Sequence, residues 1–154
     1  MRPVFRGLLA ILAIATPLMM LGPRAARAAN LTVVVTGLEN NKGTVHIAVW
    51  DKAKGFTKPE AILKEGIVKP DHRRAQWRFT GLKPGAYAVA TFHDANANGE
   101  FDQGLFGIPL ELYGFSNGAH AVFSAPAFSD AAIHLPPQGL TITIDLGHGD
   151  DEAQ

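Results

Sequence analysis

Leu140-Thr141-Ile142-Thr143-Ile144-Asp145-Leu146 alternates apolar with polar residues over its whole length. A period of two puts Leu140, Ile142, Ile144 and Leu146 on one face of a strand and Thr141, Thr143 and Asp145 on the other. The same period recurs upstream. Thr44 to Trp50 sets Val45, Ile47 and Val49 against His46, Ala48 and Trp50, and Gln76 to Thr80 turns Trp77 and Phe79 inward. Leu31 to Thr36 is β-branched and reads as the first strand, Gly85 to His93 is apolar on both faces and reads as a central one, and Ala131 to Leu135 reads as a short one. The Asn40-Asn41-Lys42-Gly43 turn predicts a hairpin between the first two strands. Asp51 to Leu63, with Gly55 and Pro59, has room for one short helical turn. In Leu82-Lys83-Pro84-Gly85-Ala86-Tyr87 a tight turn feeds a strand whose tyrosine sends its hydroxyl back to a loop carbonyl. Short strands, frequent turns and no long helical pattern predict an all-β protein, a single antiparallel β-sandwich. Against that pattern stands one long irregular segment, Asp94 to Ser129, rich in apolar residues. Such segments inside compact domains are usually functional loops packed on their own side chains.

Composition narrows the function. The 154 residues include no cysteine, which excludes disulfides, thiol chemistry and a lipoprotein attachment site. Residues 1–28 have the form of a secretory signal, with Arg2 and Arg6 ahead of an uncharged apolar run from Gly7 to Leu21 and Ala26-Arg27-Ala28 as the cleavage site. The expectation is an exported protein, periplasmic or secreted, with no membrane span after signal removal. Its sandwich would occupy 29–146 and a flexible acidic tail 147–154. Without Arg2, Arg6, Arg24 and Arg27 the remaining 10 cations face 14 carboxylates, a net charge of −4. That balance gives no footprint for nucleic acid or for an anionic membrane surface.

The sharpest chemical signal is Asp94-Ala95-Asn96-Ala97-Asn98-Gly99-Glu100-Phe101-Asp102. Side-chain oxygens recur at every second position, and Gly99 then permits a sharp turn, so the loop can wrap a hard cation. Asp94, Asn96, Asn98 and Asp102 are the candidate side-chain ligands, and Glu100 the candidate carbonyl ligand. The spacing matches the first half of an EF-hand loop and not the second, where Leu105 stands in place of the bidentate glutamate. Glu111 is the carboxylate that could fold back to replace it. With two loop carboxylates the expected cofactor is weakly held calcium, with a dissociation constant on the order of 10⁻⁴–10⁻³ M. An ion-free Asx-rich turn is the competing reading.

Other motifs weigh less. The six histidines show no zinc spacing, and His93, next to the loop, reads as a hydrogen-bonded structural residue. Gly114-Phe115-Ser116-Asn117-Gly118 fits G-x-S-x-G, yet it lacks the strand-turn-helix setting that makes such a serine a nucleophile.

His93-Asp94, the Asn-Gly loop, Gly107-Ile108-Pro109-x-Glu111, Tyr113-Gly114-Phe115-Ser116-Asn117 and Pro126-x-Phe128-x-Asp130-Ala131 together resemble the exported bacterial proteins grouped as domain of unknown function family 2141. The resemblance runs from about Leu31 to Leu146. The Leu-x-Pro-Gly-x-Tyr element is also similar to carboxypeptidase-regulatory-like and transthyretin-like domains. The resemblance implies a prealbumin- or immunoglobulin-like sandwich and brings no activity, cofactor or catalytic residue. Leu112 departs from it, standing where a small residue is expected.

The function expected on these grounds is a non-enzymatic binding or structural module with a calcium-ordered loop. Phe106, Tyr113 and Phe115 are its candidate binding surface, and its partner would be a protein, a glycan or a small ligand. The alternatives are a small metal-assisted hydrolase with His93 or Glu111 as base, and a small-ligand carrier in the periplasm.

Overall fold

The computed structural model describes residues 28–121 and 124–148; the expected signal segment to Arg27 and the tail beyond His148 lie outside them. The elements are β1 (Ala29–Thr36), β2 (Thr44–Trp50), β3 (Lys64–Val68), β4 (Ala75–Leu82), β5 (Gly85–Asp94), β6 (Tyr113–Phe115), α1 (Phe128–Ala131), β7 (Ala132–Leu135) and β8 (Leu140–Asp145). Single 3-10 turns at Pro59–Ala61, Leu105–Gly107 and Ser116–Gly118 complete them. The protein is all-β, with two mostly antiparallel sheets and almost no helix. One sheet runs β4-β1-β8 and the other β3-β2-β5-β6, with β7 also paired to β5. The exception to antiparallel order is β1 with β8, which pair in parallel from Leu31↔Leu140 to Thr36↔Asp145.

One core joins the sheets. Leu31, Val33 and Val35 from β1 meet Val45, Ile47 and Val49 from β2 and Tyr87 and Val89 from β5, all buried. Among the described residues its buried members lie between Ala29 and Leu146. Leu112, the residue at odds with the resemblance, is one of them. The Tyr87 hydroxyl donates to the Lys83 carbonyl at 2.7 Å, as the turn before it predicts.

The expected β1–β2 hairpin does not form. β1 pairs with β4 and β8, β2 pairs with β3 and β5, and residues 37–43 carry the chain from one sheet to the other. Alternation tells a strand which face to bury and not which strand to pair with. Crossing over lets the valine faces of β1 and β2 oppose each other through the core. Trp77 shares the inner face with its partner Val33 but sits on the edge strand β4, 36% exposed, with its indole over Gly66 of β3. A Cβ at Gly66 would overlap that ring. Gly147, expected in the loose tail, instead exchanges two backbone hydrogen bonds with Tyr113.

The registers Thr44↔Asp94, Val45↔Val68, Val35↔Ala75 and Thr36↔Asp145 gather connections 37–43, 69–74 and 95–112 at one end of the sandwich. That loop end holds the candidate site.

Candidate functional site

Strand β5 is buried on both faces, and its alternation decides how the loop begins. His93 turns into the core, where its Nε2 lies 2.7 Å from the Lys42 carbonyl, and Asp94 turns to the outer face. Asp94 is 1% exposed. Its Oδ1 accepts the Asn98 N–H at 3.1 Å and its Oδ2 the Gly99 N–H at 2.8 Å. The histidine beside this carboxylate is His46, whose Nε2 stands 3.5 Å from Oδ2. Sequence reading pointed to His93 because it is adjacent in the chain. His46 reaches Asp94 across two strands, and only the β2–β5 register reveals it.

Within the loop, Asn96 Oδ1 accepts the Asn98 N–H and Asn98 Oδ1 accepts the Glu100 N–H, each at 2.9 Å, forming two successive Asx turns. Their amide nitrogens both donate to the Asp102 carboxylate, at 2.7 Å from Asn96 and 3.0 Å from Asn98. Glu100 is exposed.

Glu111 returns to the loop from nine residues further on. The His93 N–H bonds the Leu112 carbonyl at 2.9 Å just above the β5–β6 pairing, which brings residue 111 back beside 102. The Asp102 N–H donates to Glu111 Oε2 at 3.2 Å. Glu111 is only 7% exposed, and its Oε1 is buried without a hydrogen-bond partner. Burial pushes its carboxyl above the ordinary range, and the negative charges of Asp94 and Asp102 add to the rise. The hydrogen bond from the Asp102 N–H and, more weakly, the Ala95 N–H facing the carboxylate pull it back. Glu111 therefore feels both neighbouring carboxylates. As they stand, no three acidic or histidine groups among the described residues are close enough together to hold an ion. The Asn96 and Asn98 amides and the loop's own N–H groups take up the Asp94 and Asp102 oxygens.

Beyond Asp102 the chain makes a small hairpin. Leu110 N–H bonds Asp102 O at 3.0 Å and Gly104 N–H bonds Ile108 O at 2.8 Å, with Phe106 at its apex in left-handed conformation, φ 61°. Leu105 is 82% exposed, Phe106 99%, Ile108 57% and Leu110 63%. Tyr113 and Phe115 lie elsewhere. They are half-buried on the outer face of the larger sheet, in a run of ring contacts from His46 through Phe92, Phe101, Tyr113 and Phe115 to Phe56, which touches both Trp50 and Phe128. Of the three aromatic candidates, Phe106 alone stands free in solvent.

The family model described as "Uncharacterized protein conserved in bacteria (DUF2141)" matches residues 33–143. The chain belongs to this family. No curated protein and no solved structure matches it.

The Tyr113-Gly114-Phe115-Ser116-Asn117 stretch has a structural explanation in this DUF2141 chain. On one side of β5, β6 pairs with Ala90 to Phe92 and β7 with Gly85 to Ala88, leaving Val89 opposite the break. Ser116 fills it: its Oγ accepts the Val89 N–H at 2.9 Å and donates to the Ala131 carbonyl. Ser116 is 1% exposed, its hydroxyl committed to backbone groups on both sides. Ser116→Ala is expected to orphan a buried N–H and cost about 2 kcal/mol. Thermal unfolding should read this as a Tm lower by roughly 6–12 °C, and an unchanged Tm would show that water replaces the hydroxyl. Gly114, the central residue of β6, lies so close to Ile144 and the Asp145 carbonyl that a Cβ would press on both.

Proposed function

We propose that this chain is an exported, non-enzymatic β-sandwich binding module in which calcium orders the 94–102 loop beneath the 105–110 tip. The observation that carries the reading is Glu111 Oε1, a buried carboxylate oxygen with no partner, beside the charges of Asp94 and Asp102. Buried polar atoms are nearly always satisfied, and an unpaired one calls for a missing ligand. A cation suits it best, because every candidate donor is a hard oxygen: carboxylates of Asp94, Asp102 and Glu111, carboxamides of Asn96 and Asn98, and the Glu100 carbonyl. That set fits calcium or magnesium better than zinc. The ion would displace the amide donors that now hold Asp102.

Thermal unfolding of the chain from Ala29, stripped of metal, tests this. Calcium at about tenfold its dissociation constant should add on the order of 1.4 kcal/mol, raising Tm by roughly 4–8 °C. Glu111→Gln separates binding from folding. A carboxyl whose folded pKa is raised loses stability as pH climbs from the unfolded value through the folded one, and above that the loss is complete. Glu111→Gln should therefore hold or raise the calcium-free Tm at neutral pH while abolishing the calcium shift. In the parent the shift should fade on acidification into the raised pKa range, as Glu111 gains its proton. A calcium shift of full size in Glu111→Gln, or none in the parent, would sink the reading.

A further inference from the structure

The loop end carries two surface features that ion binding alone does not use. The first is the tip. Single exposed leucines are ordinary, but here four large apolar side chains crowd six residues, and Phe106 is almost entirely in water. The second is the β3–β4 turn, where Lys69, His72, Arg73 and Arg74 are all exposed. This turn is anchored to the crossover by the Arg73 N–H, which donates to Asn41 Oδ1 at 2.6 Å. The crossover adds exposed Lys42 and is tied in turn to β5 through the Lys42 carbonyl and His93. Basic turn, crossover, carboxylate loop and tip thus form one connected end.

We infer that this end docks on an anionic lipid surface, with Leu105, Phe106, Ile108 and Leu110 entering the apolar layer and the basic turn meeting headgroup phosphates once the carboxylate loop holds calcium. A convex apolar knob suits a fluid apolar medium, and cations beside it suit anionic headgroups. Two clefts among the described residues at this end have charged rims, a poor fit for the apolar tip of a second copy. One cleft there is rimmed by Glu39, Arg73 and Arg74 and the other by Lys69, Asp71 and Arg74. Charge explains the need for the ion. Lys42, Lys69, Arg73 and Arg74 stand against Glu39, Asp71, Asp94, Glu100, Asp102, Glu111 and Asp145, so the ion-free end is net negative and is repelled by an anionic surface. One calcium ion offsets most of that charge, and lipid phosphate oxygens are the hard ligands calcium accepts, so the ion itself can bridge loop and headgroup. The inference rests on the calcium reading above and adds its partner.

Flotation of the chain from Ala29 with phosphatidylcholine vesicles containing about 30% phosphatidylglycerol, in about 1 mM calcium or in chelator, tests it. Flotation is expected with calcium and anionic lipid together. Leu105→Ser combined with Phe106→Ser, both at exposed positions outside the ligand set, should weaken it at least about tenfold. Arg73→Ala and Arg74→Ala should each weaken it about fivefold. The serine variant should keep the calcium-dependent Tm shift, which shows that its fold and ion site are intact. No flotation in the presence of a normal Tm shift would overturn the docking and leave the calcium reading standing; the absence of both would overturn both. Equal flotation with chelator, or of the serine variant, would also overturn it. So would a dimer in light scattering that the serine variant loses, which would assign the tip to a second copy instead.

Discussion

Gly43→Ala is expected to destabilise the protein by about 4 kcal/mol, the largest effect of any single methyl group at the loop end. Gly43 sits at φ +64°, where an L side chain is strained, and an added Cβ would overlap the Asp94 carbonyl oxygen and crowd the Ala95 carbonyl carbon. Those are backbone atoms with no rotamer to yield, so the crossover must lift away from the end of β5. Lifting it breaks the contact between the Lys42 carbonyl and His93 Nε2 and uncovers Val45, which is fully buried. Gly99→Ala is the internal control. Gly99 has φ +81°, yet nothing lies within 4 Å of a Cβ there, so only the left-handed backbone should count, about 1 kcal/mol. Urea unfolding of both variants should show the midpoint falling about four times as far for Gly43→Ala at an unchanged slope. Equal falls would show that the crossover moves aside without loss and that the Gly43–Asp94 approach is not a fixed part of the fold.

Asp94→Ala should cost about 3 kcal/mol even without any ion. The carboxylate closes its own loop by accepting the Asn98 and Gly99 N–H groups, and it stands beside His46. Alanine leaves those donors to water and opens a gap at a position that is 1% exposed. A fall in Tm of roughly 9–18 °C follows. Asp94→Asn keeps one carboxamide oxygen as acceptor and should lose about half as much. Both variants should lose the calcium shift, because neither retains the charge. Their behaviour differs from that of Glu111→Gln, which should lose the shift without losing stability. The contrast separates a carboxylate that builds the loop from one that is buried at a cost. If Asp94→Asn and Asp94→Ala are equally damaging, charge rather than hydrogen bonding holds the loop; if neither changes Tm, the loop is ordered by its Asx turns alone.

The aromatic layer places two of the three candidate surface residues in a supporting role. Tyr113 and Phe115 bridge Phe101 to Phe56, and Phe101 is the residue just before Asp102. The outer face of the larger sheet therefore holds the base of the loop as a second, aromatic core. Among the described residues no helix is long and apolar enough to cross a membrane.

The strands with clean alternation were legible from their residues, because a period of two states directly which side chains are buried. β2, β4 and β8 fall where that pattern puts them, and β1, β5 and β7 where their β-branched or apolar runs do. So was the turn to Tyr87, since Pro84 and Gly85 constrain the chain locally. The Asp94–Asp102 loop was legible for the same reason: its oxygens are consecutive, and their spacing is a property of the chain alone. β3, with Gly66 at its centre, and the three-residue β6 carry too few alternating residues to be read; they are strands because a neighbour offers an edge. Partner choice was equally out of reach. Nothing local distinguishes a β1–β2 hairpin from a crossover that sets the two valine faces against each other, and burial across the core decides it. Tertiary structure alone placed His46 beside Asp94, returned Glu111 to the loop with one oxygen unpaired, and left Phe106 in water while it buried Tyr113 and Phe115 by half. Each of these depends on which distant segments pair with β5, a matter of packing free energy summed over the whole core rather than of any local run of residues.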